Sequence, residues 1–122
     1  MTVALKDEIP ALSGDLFDLV ARRMQAIGEP TRMRIVTLLR NCEATVQELT
    51  DRLSTGAAPL TQQNVSKHLG ILYQAGILAR QRDGRCVRYT VSDFTVCQLL
   101  DHAVASTAGH FDELADIARP PC

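Results

Sequence analysis

Residues 61–91, TQQNVSKHLGILYQAGILARQRDGRCVRYTV, decide how the chain is read. Thr61 is a good N-cap, Val65, Leu69 and Leu72 recur at helical spacing, and Gly76 suits a helix exit, so the pattern predicts a helix over 62–75. Its other face is Gln62, Gln63, Asn64, Ser66 and Lys67. Two β-rich runs then flank Asp83-Gly84, a hairpin signal. An amide-rich helix followed at once by a basic hairpin is the central feature.

Working outward, a short helix is expected over 45–54, with Val46, Leu49 and Leu53 on one face. The stretch 54–60 is a loop by composition. Pro30 suits a first helical position, so 30–40 reads as a helix carrying Ile35, Val36, Leu38 and Leu39, with Asn41 and Cys42 as its exit. Before it, Leu16, Val20, Met24 and Ile27 mark an amphipathic helix over 15–27, opened by Asp15 and closed by Gly28. Residues 1–14, with Pro10 and Gly14, read as a flexible arm. Downstream, Asp93 caps a last helix over 93–108, with Cys97, Leu100 and Val104 in register, and a further helical stretch reaches about residue 118. The expectation is one domain over 15–108 and a C-terminal extension over 109–122, mainly α with a small β-hairpin.

The chain has 122 residues, 46% apolar and 22% charged, which fits a single ordinary globular domain and excludes a disordered or low-complexity one. No apolar run reaches the roughly 18–20 residues of a membrane span, and no secretory signal pattern opens the chain. The four cysteines, 42, 86, 97 and 122, form no CxxC pair, so they read as free thiols in a reducing cytoplasm. Net charge is −1, but its distribution is uneven. Residues 61–92 hold Lys67, Arg80, Arg82, Arg85 and Arg88 against Asp83, a net +4; residues 93–122 hold Asp93, Asp101, Asp112, Glu113 and Asp116 against Arg119, a net −4.

Positive charge on an amide-rich helix and its hairpin is chemistry suited to double-stranded DNA. A helix in the major groove presents amides and hydroxyls to base edges, and Gln62, Gln63 and Asn64 suit adenine. Thr61, Ser66, Lys67 and His68 stand beside them, and a hairpin with Arg82 and Arg85 reaches the backbone or minor groove.

Three blocks carry a family resemblance. Ala26-Ile27-Gly28-Glu29-Pro30-Thr31-Arg32-Met33-Arg34-Ile35-Val36-Thr37-Leu38-Leu39 resembles the opening of the ArsR/SmtB repressors. Residues 61–69, with Leu72 and Ala75-Gly76-Ile77-Leu78, resemble that family's recognition helix and its exit, and 82–89 resemble its wing. The resemblance implies a winged helix-turn-helix homodimer joined through its first and last helices. It implies a repressor that binds a near-palindromic operator, with Thr31 and Arg32 as further contacts, and leaves when an inducer arrives, often a metal ion.

The family's metal boxes are not carried over. Thr45 and Gln47 stand where arsenic- and cadmium-type sensors place two thiolates. At the zinc- and nickel-type positions stand Asp93, Thr95, Ser106 and Gly109, of which only Asp93 is a ligand type. Cys97, on the apolar face of the last helix, is the candidate for a soft metal, a metalloid or oxidation. Cys42, Cys86 and the terminal Cys122 are further thiols. His102 and His110, with Asp101, Asp112 or Glu113, are a variant site for zinc or nickel if the last helix continues past Gly109. No phosphate loop, GxSxG, HExxH or nucleophile–base pair is present, so an enzyme is not expected. The remaining alternative is a winged-helix module that binds protein and has no operator.

Overall fold

A computed structural model describes the backbone of residues 2–54 and 59–118, and the side-chain environments of 15–54 and 59–112. In chain order the elements are α1 (Thr2–Ile27), α2 (Pro30–Leu39), β1 (Ala44–Thr45), α3 (Val46–Leu53), α4 (Gln62–Gln74), β2 (Leu78–Asp83), β3 (Cys86–Val91) and α5 (Phe94–Ala118). The antiparallel sheet has the order β1-β3-β2. This is the winged helix-turn-helix architecture, with α3 and α4 as the helix pair and β2–β3 as the wing.

The core lies between α2, α3, α4 and the sheet. Ile35, Val36, Leu49, Val65, Leu69, Leu72 and Ile77 are all fully buried there. Local chemistry sets the helix limits. Pro30 stands at the start of α2, whose N-cap is Glu29. Thr45 opens α3 with a reciprocal capping box: its hydroxyl accepts from the Glu48 N–H at 3.2 Å, and the Glu48 carboxylate accepts from the Thr45 N–H at 2.9 Å. Thr61 caps α4, accepting from the Asn64 N–H at 3.1 Å. Ser54 ties the ends of the 54–60 loop together, donating to the Leu60 carbonyl at 3.0 Å and accepting from its N–H at 3.1 Å.

Four expectations are corrected. α1 begins at Thr2 rather than Asp15, so the stretch expected as an arm is helical backbone. A proline removes one hydrogen bond and a glycine weakens a turn, and neither ends a helix of this length by itself. α5 likewise runs unbroken through Gly109, so the last helix and the expected extension are one element. The hairpin loop is Gly84-Arg85, one residue beyond the expected Asp83-Gly84, because Asp83 still pairs with Cys86. Gly84 has φ +63°, the positive value that a type II′ turn demands at its first central position. Finally, β1 was not foreseen; Ala44 pairs with Tyr89 and Thr45 with Arg88.

Candidate nucleic-acid interface

The helix pair is locked from within before it presents anything outward. Val65, Leu69 and Leu72 point α4 into the core, which leaves Gln62, Gln63, Asn64, Ser66 and Lys67 exposed on its outer side. The Gln62 amide donates to the Gln47 side chain of α3, and Gln47 donates in turn to Asp51 at 3.0 Å. Gln47 was absent from the sequence-derived site, although its place in the Thr45–Glu48 capping box puts it on the first turn of α3. Thr61 is at the entrance of α4, its hydroxyl engaged as the cap.

Arg32, expected as a DNA contact, turns inward, and His68, whose place in α4 suits either packing or a phosphate contact, packs against it. Arg32 Nε donates to the Ala26 carbonyl at 2.5 Å, Nη2 to the Gln25 carbonyl at 3.4 Å, and Nη1 lies 3.2 Å from His68 Nδ1. His68 Nδ1 is also 3.4 Å from a Glu29 carboxylate oxygen. Both side chains are therefore turned onto the junction of α1, α2 and α4, where they set the attitude of α4. Partial burial acts against the charge on Glu29, but the N–H groups of Thr31 and Arg32, with the nearby side chains of His68 and Arg32, hold its carboxyl below the ordinary range. Thr31 is half-buried in the first turn of α2.

On the wing the arginines divide. Arg88 is neutralised: Nε donates to Asp83 at 3.1 Å and Nη1 to Glu48 at 3.3 Å, with Glu43 also near, and its pKa is raised by that Asp83 bond above all. Arg82 and Arg85 are exposed and make no ion pair among the described residues, Arg85 at the tip of the turn. The outer face of α4 and the wing tip thus offer amides, hydroxyls and unpaired cations.

The candidate sensor residues are not brought together. Cys97 is buried in the core, 3% exposed, and burial pushes its thiol pKa up, which disfavours the reactive thiolate. Cys42 and Cys86 are exposed; the Arg52 guanidinium lies 3.8 Å from the Cys42 sulfur. Cys122 lies outside the described residues. His102 and His110 are both exposed on α5, and eight residues of helix separate them by about 12 Å, too far to share an ion within one chain. Among the described residues no cluster of three or more His, Cys, Asp or Glu side chains has the makings of a metal site. Asp93 caps α5, accepting from the Thr95 N–H at 3.0 Å, and pairs with Arg23.

α1 and α5 carry apolar surface outward. Phe17, Val20 and Met24 are exposed on α1, and Phe94, Leu99, Val104 and Phe111 on α5. A bidentate pair, Arg40 to Asp101 at 2.5 and 2.8 Å, joins the end of α2 to α5. Among the described residues no helix is long and apolar enough to cross a membrane.

Residues 27–81 match a family model described as a helix-turn-helix domain. The chain is 35% identical over 85 residues to the HTH-type transcriptional regulator NmtR of Mycobacterium tuberculosis, spanning 70% of this chain and 67% of that protein. It is 32% identical over 100 residues to a probable mercury resistance operon repressor of Streptomyces lividans, spanning 75% and 76% respectively. In fold it is similar to the homodimeric winged helix-turn-helix DNA-binding domain of a possible ArsR-family regulator from Mycobacterium bovis, with TM-score 0.72 and 22% identity over 84% of this chain and 90% of that one.

Proposed function

The chain belongs to the ArsR/SmtB family of winged helix-turn-helix transcriptional regulators, and from that premise we propose a homodimeric, operator-bound repressor in the cytoplasm, acting by binding rather than catalysis. The observation that carries the reading is the outer face of α4, where Gln62, Gln63, Asn64 and Ser66 are exposed while the opposite side is fully buried. In the major groove those side chains read base edges, and Lys67, Arg82 and Arg85 meet phosphates. Thr61 stands at the entrance of this surface, Thr31 at the start of α2 is a further candidate contact, and Arg32 and His68 hold α4 in position.

The apolar faces of α1 and α5 pair two copies. A two-fold dimer sets two α4 helices about 34 Å apart, one turn of DNA, and calls for a near-palindromic site. The inducer class is a soft metal or metalloid ion, or a thiol oxidant. The mercury-resistance relative supports this class, and exposed Cys42 and Cys86 are the thiols such an agent meets first. Release follows when the inducer favours a dimer whose α4 helices are misspaced for DNA, a coupling of about 1–3 kcal/mol or more.

The test is fluorescence anisotropy of the reduced protein on DNA from upstream of its own gene, with arsenite, mercuric ion, zinc, nickel or a mild oxidant titrated into the complex. Release by arsenite, mercuric ion or oxidant, lost in Cys42→Ser or Cys86→Ser, supports the thiol reading. Release by zinc or nickel alone sinks the thiol reading and calls for a site in which His102 or His110 is completed by a second copy. Gln63→Ala is expected to lose about 1–3 kcal/mol, concentrated at one operator position. Parent-like binding by that variant would sink the proposed docking of α4.

A further inference from the structure

The described cations around α4 and the sheet differ in whether they are paired. Arg23, Arg40 and Arg88 are paired with Asp93, with Asp101, and with Asp83 and Glu48. Arg22, Lys67 and Arg80 make no ion pair among the described residues, and all three line one groove with Arg32. The groove has a volume of about 710 Å³ and lies between the C-terminal half of α1, the outer side of α4 and the start of β2. No carboxylate lines it. By contrast, the small cleft on the wing mixes Arg82 and Arg88 with Glu43 and Asp83, and is balanced within itself. Unpaired like charges gathered round one concavity raise its potential, and a polyanion relieves it.

Two details suit an occupant that comes close. Arg80 is held with its guanidinium carbon 4.0 Å from the centre of the Tyr73 ring, so the cation is positioned before anything binds. Gly70 lies in the groove wall on α4, and a Cβ there would meet nothing within 4 Å. Glycine weakens a helix interior relative to alanine, and no packing among the described residues calls for it here. Open space above a helical glycine, ringed by cations, leaves room for another molecule's backbone.

We propose that this groove is a second phosphate track, in which the sugar–phosphate backbone of duplex DNA lies against Arg22, Lys67 and Arg80, apart from the contacts of the wing tip. The proposal rests on the reading of α4 as a DNA-binding helix and lengthens its footprint. Lys67 belongs to both surfaces and joins them. Arg22 and Arg80 add affinity without sequence preference, because they meet phosphates and not bases.

The experiment uses the full-length protein and a duplex it selects from a random library, with affinity measured by anisotropy across a series of salt concentrations. Arg22→Ala and Arg80→Ala are each expected to weaken binding by about 3–10-fold and to flatten the salt slope by about one unit per protomer. Arg80→Lys restores the slope. Arg34→Ala removes the same charge from an exposed position on α2 outside the groove, and leaves the slope at the parent value. Gly70→Gln, neutral and a better helix former, keeps the melting temperature and lowers affinity several-fold. Slopes for Arg22→Ala and Arg80→Ala equal to that of Arg34→Ala overturn the track, and parent-like affinity in Gly70→Gln overturns the close approach at its wall. A parent protein that binds no duplex at low salt overturns the DNA reading beneath it, a result distinct from either.

Discussion

α4 and α5 are both amphipathic helices of one small protein, yet only one is finished by its own chain. α4 has a satisfied N-cap, and its apolar residues Val65, Leu69 and Leu72 are fully buried. α5 buries Val96, Cys97 and Leu100, after which every described residue to Asp112 is exposed, including Val104 at 62% and Phe111 at 61%. Monomeric proteins rarely leave such a stripe uncovered. The difference fits the two jobs proposed above: α4 is braced to meet DNA, and α5 keeps apolar surface that a second copy would cover.

The largest expected effect tests the finished half. Leu69→Ala removes a fully buried side chain and is expected to cost about 2–5 kcal/mol in chemical denaturation. A loss below that range would mean that the α4 core collapses onto the gap, and the contrast with α5 would narrow. Next comes the unfinished half. Val104→Asp is expected to keep the circular dichroism of the parent while weakening dimerisation at least tenfold in sedimentation, about 1.4 kcal/mol. If that variant stayed dimeric, the exposed α5 face would not be the subunit contact.

The smallest effect concerns the link between the halves. The Arg40 guanidinium, hydrogen-bonded to Asp101, holds that carboxyl below the ordinary carboxylate range. A folded-state pKa below the unfolded value of about 3.9 gives stability that is present above that pH and lost as pH falls through the folded value. Asp101→Asn is therefore expected to melt slightly lower than the parent near pH 7 and to converge with it in acid. Both side chains are solvated, so the difference is small. Equal melting temperatures at pH 7 would show that the pair fixes geometry without adding stability.

What could be read from the sequence was what local chemistry decides. Pro30, Thr61, Gly76 and the glycine of the hairpin mark element ends by their own conformational limits, and the exposed face of α4 follows from helical spacing. β1 was hidden because its two residues gain strand character only from Tyr89 and Arg88, far along the chain. Pro10 and Gly14 misled about α1, and Gly109 about α5, because a breaker's cost is small beside that of a long helix. Arg32 was read as a DNA contact, and its inward direction was not readable, since only the packing of α1 and α2 against His68 of α4 turns it. The groove of Arg22 and Arg80 joins residues with no spacing signal at all.

α5 also has the proportions of a lever. Among the described residues its last buried side chain is Leu100 and its ion pair with the body is Arg40–Asp101, while the helix continues to Ala118, about 27 Å farther at the standard rise. A swing of about 10° about that fulcrum displaces the far end by about 5 Å. Run in reverse, a displacement imposed on the far end of the helix would reach the fulcrum as a small rotation delivered with mechanical advantage. Arg40 carries it into α2, whose other end holds Glu29 against His68 of α4.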